Sequence, residues 1–274
     1  MSEIAGRFFM LNSELKNISE FDDSFLQEPH YLYEILRTVG EKPLFMEDHL
    51  ERFEHSLRLS NIGIPYPKED IARQIKMLIR ENKLDTGNIK MVYLPHESTT
   101  GFSFMIYITP HNYPTDEQYM LGVPVSLYYG IRNIPNAKIM DAALRAETDR
   151  TRLEQNVYEA LLVDNDGYIT EGSRSNVFFI KDNKVITPPI DCILPGITRK
   201  HIIALCDELD INIQEQKVHK DSVAQMEAAF ISGTSRKVLP VNRIDNHTFP
   251  VNHPILNSLK EGFNRKVEKY LVRS

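Results

Sequence analysis

The sequence predicts a mixed α/β fold in two domains, a small N-terminal α/β domain and a larger, β-rich C-terminal one. Three observations predict it. Short apolar runs of strand length alternate with amphipathic helical stripes. A polar, proline-containing stretch interrupts them between residues 110 and 123. The chain has 274 residues, 42% hydrophobic and 26% charged, enough to bury a core in each of two modest domains. These place the N-terminal domain at 1–112, a linker at 113–122 and the C-terminal domain at 123–274.

Each element has its own signal. Phe8-Phe9-Met10-Leu11 reads as a strand. Over 47–62, Leu50, Phe53, Leu57 and Leu59 form a helical stripe. Pro67 opens a second helix, with Ile71, Ile75, Leu78 and Ile79 on one face. After the turn Asp85-Thr86-Gly87-Asn88 come strands at Ile89 to Leu94 and Phe102 to Thr109. Val125 to Tyr129 is a strand, and residues 138–157 carry good helix formers. Ala160 to Val163, the turn Asp164-Asn165-Asp166-Gly167 and Tyr168 to Thr170 form a hairpin. Val177 to Ile180 and Val185 to Thr187 form another around Lys181-Asp182-Asn183. Helices follow from Pro195-Gly196-Ile197-Thr198-Arg199 onward and over 253–272.

Composition excludes several classes. The formal net charge is −6, from 32 Lys and Arg against 38 Asp and Glu, with no basic run to follow a nucleic acid. No apolar stretch reaches the length of a membrane span. The first residues, Met1-Ser2-Glu3-Ile4-Ala5-Gly6-Arg7, lack the order of a secretory signal. Cys192 and Cys206 cannot make a disulfide framework or a thiolate metal site by themselves, and no metal is expected. The chain reads as cytoplasmic.

The chemistry concentrates between residues 138 and 199, with a further turn at 232–235. Glu171-Gly172-Ser173-Arg174-Ser175-Asn176 puts a carboxylate at a strand end, followed by small polar residues. Leu194 to Arg199 starts a helix, and Ser232-Gly233-Thr234-Ser235 is a second small-residue turn. Helix N-termini and such turns present backbone N–H groups that suit a phosphate. Two of them with a carboxylate suit a phosphorylated ligand with a cationic ring.

In their order along the chain these motifs resemble the class IV aminotransferases, the family of branched-chain aminotransferases, D-amino acid aminotransferases and aminodeoxychorismate lyases. The resemblance rests on Tyr33-Glu34, His49-Leu50-Glu51-Arg52-Phe53, Lys138, Glu159-Ala160-Leu161, Glu171 to Phe178, Thr187-Pro188, Pro195 to Arg199 and Ser232-Gly233-Thr234. Lys138 stands 21 positions before Glu159, the spacing of the family's Schiff-base lysine. The resemblance implies pyridoxal 5'-phosphate held between the two domains of a homodimer. It implies Lys138 as the catalytic lysine, Glu171 at the pyridine nitrogen and Arg52 on the phosphate. Ser175, Asn176, Ile197, Thr198, Thr234 and Ser235 complete the cofactor contacts. The substrates implied are an amino acid and a 2-oxo acid, with no nucleic acid or membrane as partner.

Substrate recognition is where the chain departs from the family. D-amino acid aminotransferases carry an arginine after the strand that is here Ile89 to Tyr93, and this chain has Leu94 where that arginine is expected. The carboxylate partners considered are Arg37 and Arg174, with Tyr31 and Tyr93 as pocket walls; Arg236-Lys237 is also unusual. Transamination through Lys138 is the expected activity. The alternatives are aminodeoxychorismate lyase chemistry, disfavoured by the intact Glu171-Gly172 motif, and an inactive homologue, disfavoured by Lys138, Glu171 and Arg52.

Overall fold

The computed structural model describes residues 3–24, 28, 30–96 and 101–273; Met1, Ser2 and Glu97 lie outside the described residues. The chain divides into two compact units. The first comprises Met1–Asn112, Ala137–Asp141 and Lys269–Ser274, the second Tyr113–Asn136 and Ala142–Glu268.

The first unit is built on strands β1 (Ala5–Leu11), β2 (Glu14–Asn17), β3 (Leu32–Val39), β4 (Lys42–Pro43), β5 (Gly87–Pro95) and β6 (Phe102–Thr109). They form one antiparallel sheet in the order β2-β1-β6-β5-β3-β4. Helices α1 (Met46–Leu59) and α2 (Lys68–Asn82) follow the apolar stripes read from the sequence. They pack Leu50, Phe53, Leu57 and Ile75 against Leu36 and Met91 of the sheet. The other face carries Phe9, Tyr31, Tyr33, Val92, Met105 and Tyr107, a separate cluster. Strand alternation decides which face each residue meets. Leu32, Glu34 and Leu36 point to the helices; Tyr33, Ile35 and Arg37 do not. Strand β5 is buried from Gly87 to Tyr93 on both faces, so a polar residue within it must find partners inside the protein.

The second unit begins with α3 (Asp116–Leu121), inside the segment expected as linker. Thr115 caps it, accepting from the Gln118 N–H while the Gln118 side chain accepts from Thr115 N–H. Then come β7 (Val123–Tyr129), α4 (Ala142–Glu154), β8 (Glu159–Val163), β9 (Tyr168–Gly172), β10 (Asn176–Lys181) and β11 (Lys184–Thr187). Next are α5 (Ile197–Glu208), β12 (Ile213–Glu215), β13 (Val218–His219), β14 (Ala228–Gly233), β15 (Lys237–Ile244) and β16 (His247–Thr248). The C-terminal helix α6 runs Pro254–Arg273. The strands form one large sheet in the order β12-β11-β10-β14-β15-β7-β8-β9-β13, with β16 beside β15. Both hairpins expected from turn residues form: β8–β9 about Asp164 to Gly167, and β10–β11 about Asp182-Asn183.

One expectation is corrected. The helix read over 138–157 is shorter, Ala142–Glu154. Residues 137–141 are not helical because they pair with the edge of β3, Ile139 bridging Leu32. Tyr33 N–H donates to the Lys138 carbonyl at 3.0 Å, and Met140 N–H to the Tyr31 carbonyl at 2.8 Å. Strand β4 engages β3 only at Thr38 and Val39, which leaves the N-terminal part of that edge for this segment.

Candidate active site

Lys138 is held at both ends of its backbone. Its carbonyl accepts from Tyr33, and its N–H donates to Ser56 Oγ at 3.0 Å. Ser56 lies in α1, and its hydroxyl donates a hydrogen bond to the Arg52 carbonyl at 3.0 Å. Two hydrogen bonds thus tie the lysine to the helical turn that carries Arg52. The Lys138 ammonium stands over the Tyr33 ring, 4.6 Å from its centre, a cation–π contact that fixes the side chain's direction.

Beneath α1 is a buried ionic cluster. Glu34 is wholly buried, and Arg52 grips it with Nε at 2.9 Å and Nη2 at 2.6 Å. His49 Nδ1 lies 3.1 Å from the same carboxylate. Burial would push the Glu34 carboxyl up; the Arg52 charge and the hydrogen bonds from His49 and Arg52 outweigh it and hold the group well below the usual range. Burial lowers the His49 imidazole against the pull of Glu34, so it stays neutral near pH 7.

In the second unit Glu171 is the buried carboxylate at the end of β9. Arg132 Nε donates to its Oε1 at 2.8 Å, and Leu194 N–H to its Oε2 at 3.2 Å. Arg132 also donates to the Ser173 carbonyl at 3.0 Å. Asn176 Nδ2 donates to the Leu194 carbonyl at 2.9 Å, fixing the approach to α5. Gly196 stands as the N-cap with no side-chain cap on the first turn, so the N–H groups around Ile197 and Thr198 gain no partner from it. A Cβ at Gly196 would run into the Asn176 side-chain oxygen, so a larger residue there would have to displace the Asn176 hydrogen bond to Leu194. Ser232 pairs with Asn176 across β10 and β14, and its buried Oγ has no hydrogen-bond partner among the described residues. An uncapped helix start beside an orphaned buried hydroxyl fits a phosphate, and a buried carboxylate fits a protonated ring nitrogen.

The expected site residues fall into three groups. Lys138, Arg52, Tyr31 and Arg37 belong to the first unit, where Lys138, Ser56 and Arg52 are chained together. Glu171, Asn176, Ile197 and Thr198 gather in the second unit, with Thr234 and Ser235 in the turn after Ser232. The remaining residues point elsewhere. Tyr93 lies on the helix-facing side of β5, stacked on Phe102 at 5.1 Å, opposite the face of Tyr31 and Tyr33. Arg174 is engaged by Asp149, with contacts at 2.5 and 2.6 Å. Ser175 Oγ donates to Glu159, and the turn's next residue, Arg236, lies 3.3 Å from the same carboxylate. The Arg236 charge overcomes the burial that would raise Glu159 and keeps it low. Sequence reasoning missed Ser56 and Arg132. Ser56 follows Arg52 by one helical turn, the only sequence sign of its place; Arg132, in a loop, left none. Among the described residues no cluster of three or more His, Cys, Asp or Glu could hold a metal ion, and no helix is long and apolar enough to cross a membrane.

The family model of amino-transferase class IV matches residues 31–244. The chain belongs to that family. A Thermotoga maritima protein named as a probable branched-chain-amino-acid aminotransferase is 30% identical over 239 residues, covering 85% of this chain and 84% of its own. The D-alanine aminotransferase of Bacillus licheniformis is 26% identical, covering 89% and 91%. Among solved structures, the Escherichia coli branched-chain amino acid aminotransferase matches at a TM-score of 0.85 and 22% identity, covering 96% of this chain and 95% of its own. The α/β fold is therefore that of the class IV aminotransferases, and the chain is an enzyme of that family. Class IV aminotransferases use pyridoxal phosphate.

Proposed function

We propose that this chain moves an amino group between an amino acid and a 2-oxo acid, with pyridoxal phosphate held at Lys138. The observation that carries the reading is the double anchoring of Lys138, by Tyr33 and by Ser56, with its ammonium over the Tyr33 ring. A surface lysine has no need of such restraint. Bound pyridoxal phosphate supplies an electrophilic carbon and an electron-withdrawing ring.

The chain's own residues do the rest. Lys138 Nζ holds the cofactor, then takes the proton from the substrate's α-carbon and returns it. Glu171 keeps a proton on the ring nitrogen, and Arg132 and Leu194 orient that carboxylate. Ile197 and Thr198 at the start of α5, with Thr234 and Ser235, bind the phosphate. Arg52, held by Glu34 through Nε and Nη2, is the residue that the family resemblance assigns to the phosphate. The reading includes a cytoplasmic homodimer, which sedimentation of the holoprotein tests.

Incubating the holoprotein with D- and L-amino acids and 2-oxoglutarate tests the activity. Glutamate formation that follows the consumption of one amino acid supports it. Release of pyruvate from aminodeoxychorismate with no glutamate from any donor would establish a lyase instead. A colourless protein that forms neither product would establish an inactive homologue.

A further inference from the structure

The first unit's second buried ionic centre lies on the sheet face away from the helices, and it surrounds Lys90. This residue sits in the middle of β5, beside Ile35 of β3 and Tyr107 of β6, and is 4% exposed. Its ammonium lies 2.5 Å from Glu3 Oε1 and donates to Tyr31 Oη at 3.2 Å. The rings of Tyr31, Tyr33 and Tyr107 lie around it, their centres at 5.1, 5.4 and 5.9 Å. Tyr107 Oη donates to the same Glu3 oxygen at 3.1 Å. Burial raises both the Tyr31 and Tyr107 phenols, so each stays protonated and able to donate.

Glu3 is the anion that this ammonium and the Tyr107 phenol hold. The surrounding groups sit in strand interiors or at a strand's edge and are buried. Glu3 comes from the segment before β1 and is 27% exposed. A buried ammonium is costly unless it is paired, and here the pair is Glu3. The Tyr33 ring is shared: Lys90 lies on it at 5.4 Å and Lys138 at 4.6 Å, so the two ammonium groups are separated by no more than those distances combined. Both cations border the same ring, on the sheet face away from the helices, so an acid engaged at Lys138 lies on the side that Lys90 serves. Of the arginines considered for this task, Arg174 is engaged by Asp149 in the second unit, and Arg37 lies two residues along β3 from Ile35, the strand partner of Lys90.

We propose that Lys90, Tyr31 and Tyr107 form a binding site for a carboxylate of the substrate, and that Glu3 is an intramolecular ligand which the substrate displaces. The proposal rests on the aminotransferase reading for the identity of the acid, though not for the existence of the site. Succinate and propionate, which cannot be transaminated, are titrated calorimetrically into holoprotein. Glu3→Gln removes the competing charge while leaving an acceptor for Lys90. It should bind succinate about fivefold tighter than wild type or better, because the fraction of competent sites rises. Lys90→Met should lose that gain in the Glu3→Gln background. A gain with both acids assigns the site to the 2-carboxylate, and a gain with succinate alone to a distal carboxylate. Equal or weaker binding of both acids by Glu3→Gln overturns the proposal. Absent turnover alongside tighter binding would remove the aminotransferase reading and leave the site standing.

Discussion

The two faces of the first sheet solve the same problem in opposite ways. Each buries a charge: Glu34 towards the helices, Lys90 away from them. Glu34 is gripped by Arg52 and His49, both on α1, and every partner belongs to a regular element. Lys90 is neutralised by Glu3, from the segment that precedes β1. The first arrangement costs much to open, since strand and helix must separate. The second opens when a few residues of chain move. The contrast teaches where to look for structure and where for exchange. The rigid cluster underpins the turn that carries Arg52 and anchors Lys138, while the movable one offers an anion site.

The largest expected effect falls on the rigid face. Glu34→Ala removes the carboxylate that holds the buried Arg52 and His49 and should lower the unfolding free energy by about 3–5 kcal/mol, measured by urea denaturation. The pH dependence has a definite sign. The folded-state carboxyl titrates below its unfolded value, so its contribution is complete above about pH 4.3 and declines as pH falls through the folded pKa. Glu34→Gln should therefore flatten the acid limb of the stability curve. An unchanged acid limb would show that the ion pair does not set it.

A smaller effect, on chemistry rather than stability, is expected in the second unit. Glu171→Gln should reduce kcat on the order of 100-fold, because an amide cannot hold the ring proton as a carboxylate does. Wild-type turnover in that variant would remove Glu171 from the ring.

The smallest effect sharpens the comparison. Lys90→Met replaces a buried cation by an apolar chain, and Glu3 can turn to water. Its unfolding free energy should shift by about 1 kcal/mol or less. A loss as large as that of Glu34→Ala would make the two faces equivalent and end the distinction drawn between them.

Much of this was legible in the sequence, for identifiable reasons. Helices α1, α2, α5 and α6 carry 3.6-residue stripes, and Asp164 to Gly167 is a local turn signal; both are short-range codes. The ordered motifs singled out Lys138, Glu171 and the α5 start as candidates. What stayed hidden depends on distant pairing. Residues 137–141 join β3 across about a hundred residues of chain, and good helix formers masked that strand-like segment. Tyr93 and Tyr33 look alike as isolated aromatics, and only the β3–β5 register separates their faces. Lys90 stood in an apolar run, Ile89 to Tyr93, where a lysine is ordinarily read as the solvent side. Its burial became visible only once both faces of β5 were seen to be covered.

The central claim is that Lys138 carries the cofactor, and chemical trapping tests it most directly. Holoprotein reduced with borohydride, digested and sequenced by mass spectrometry should carry a pyridoxyl group on Lys138 and on no other lysine. Label on Lys90, Lys181 or any other residue, or no label on a protein shown to bind pyridoxal phosphate, would contradict the account.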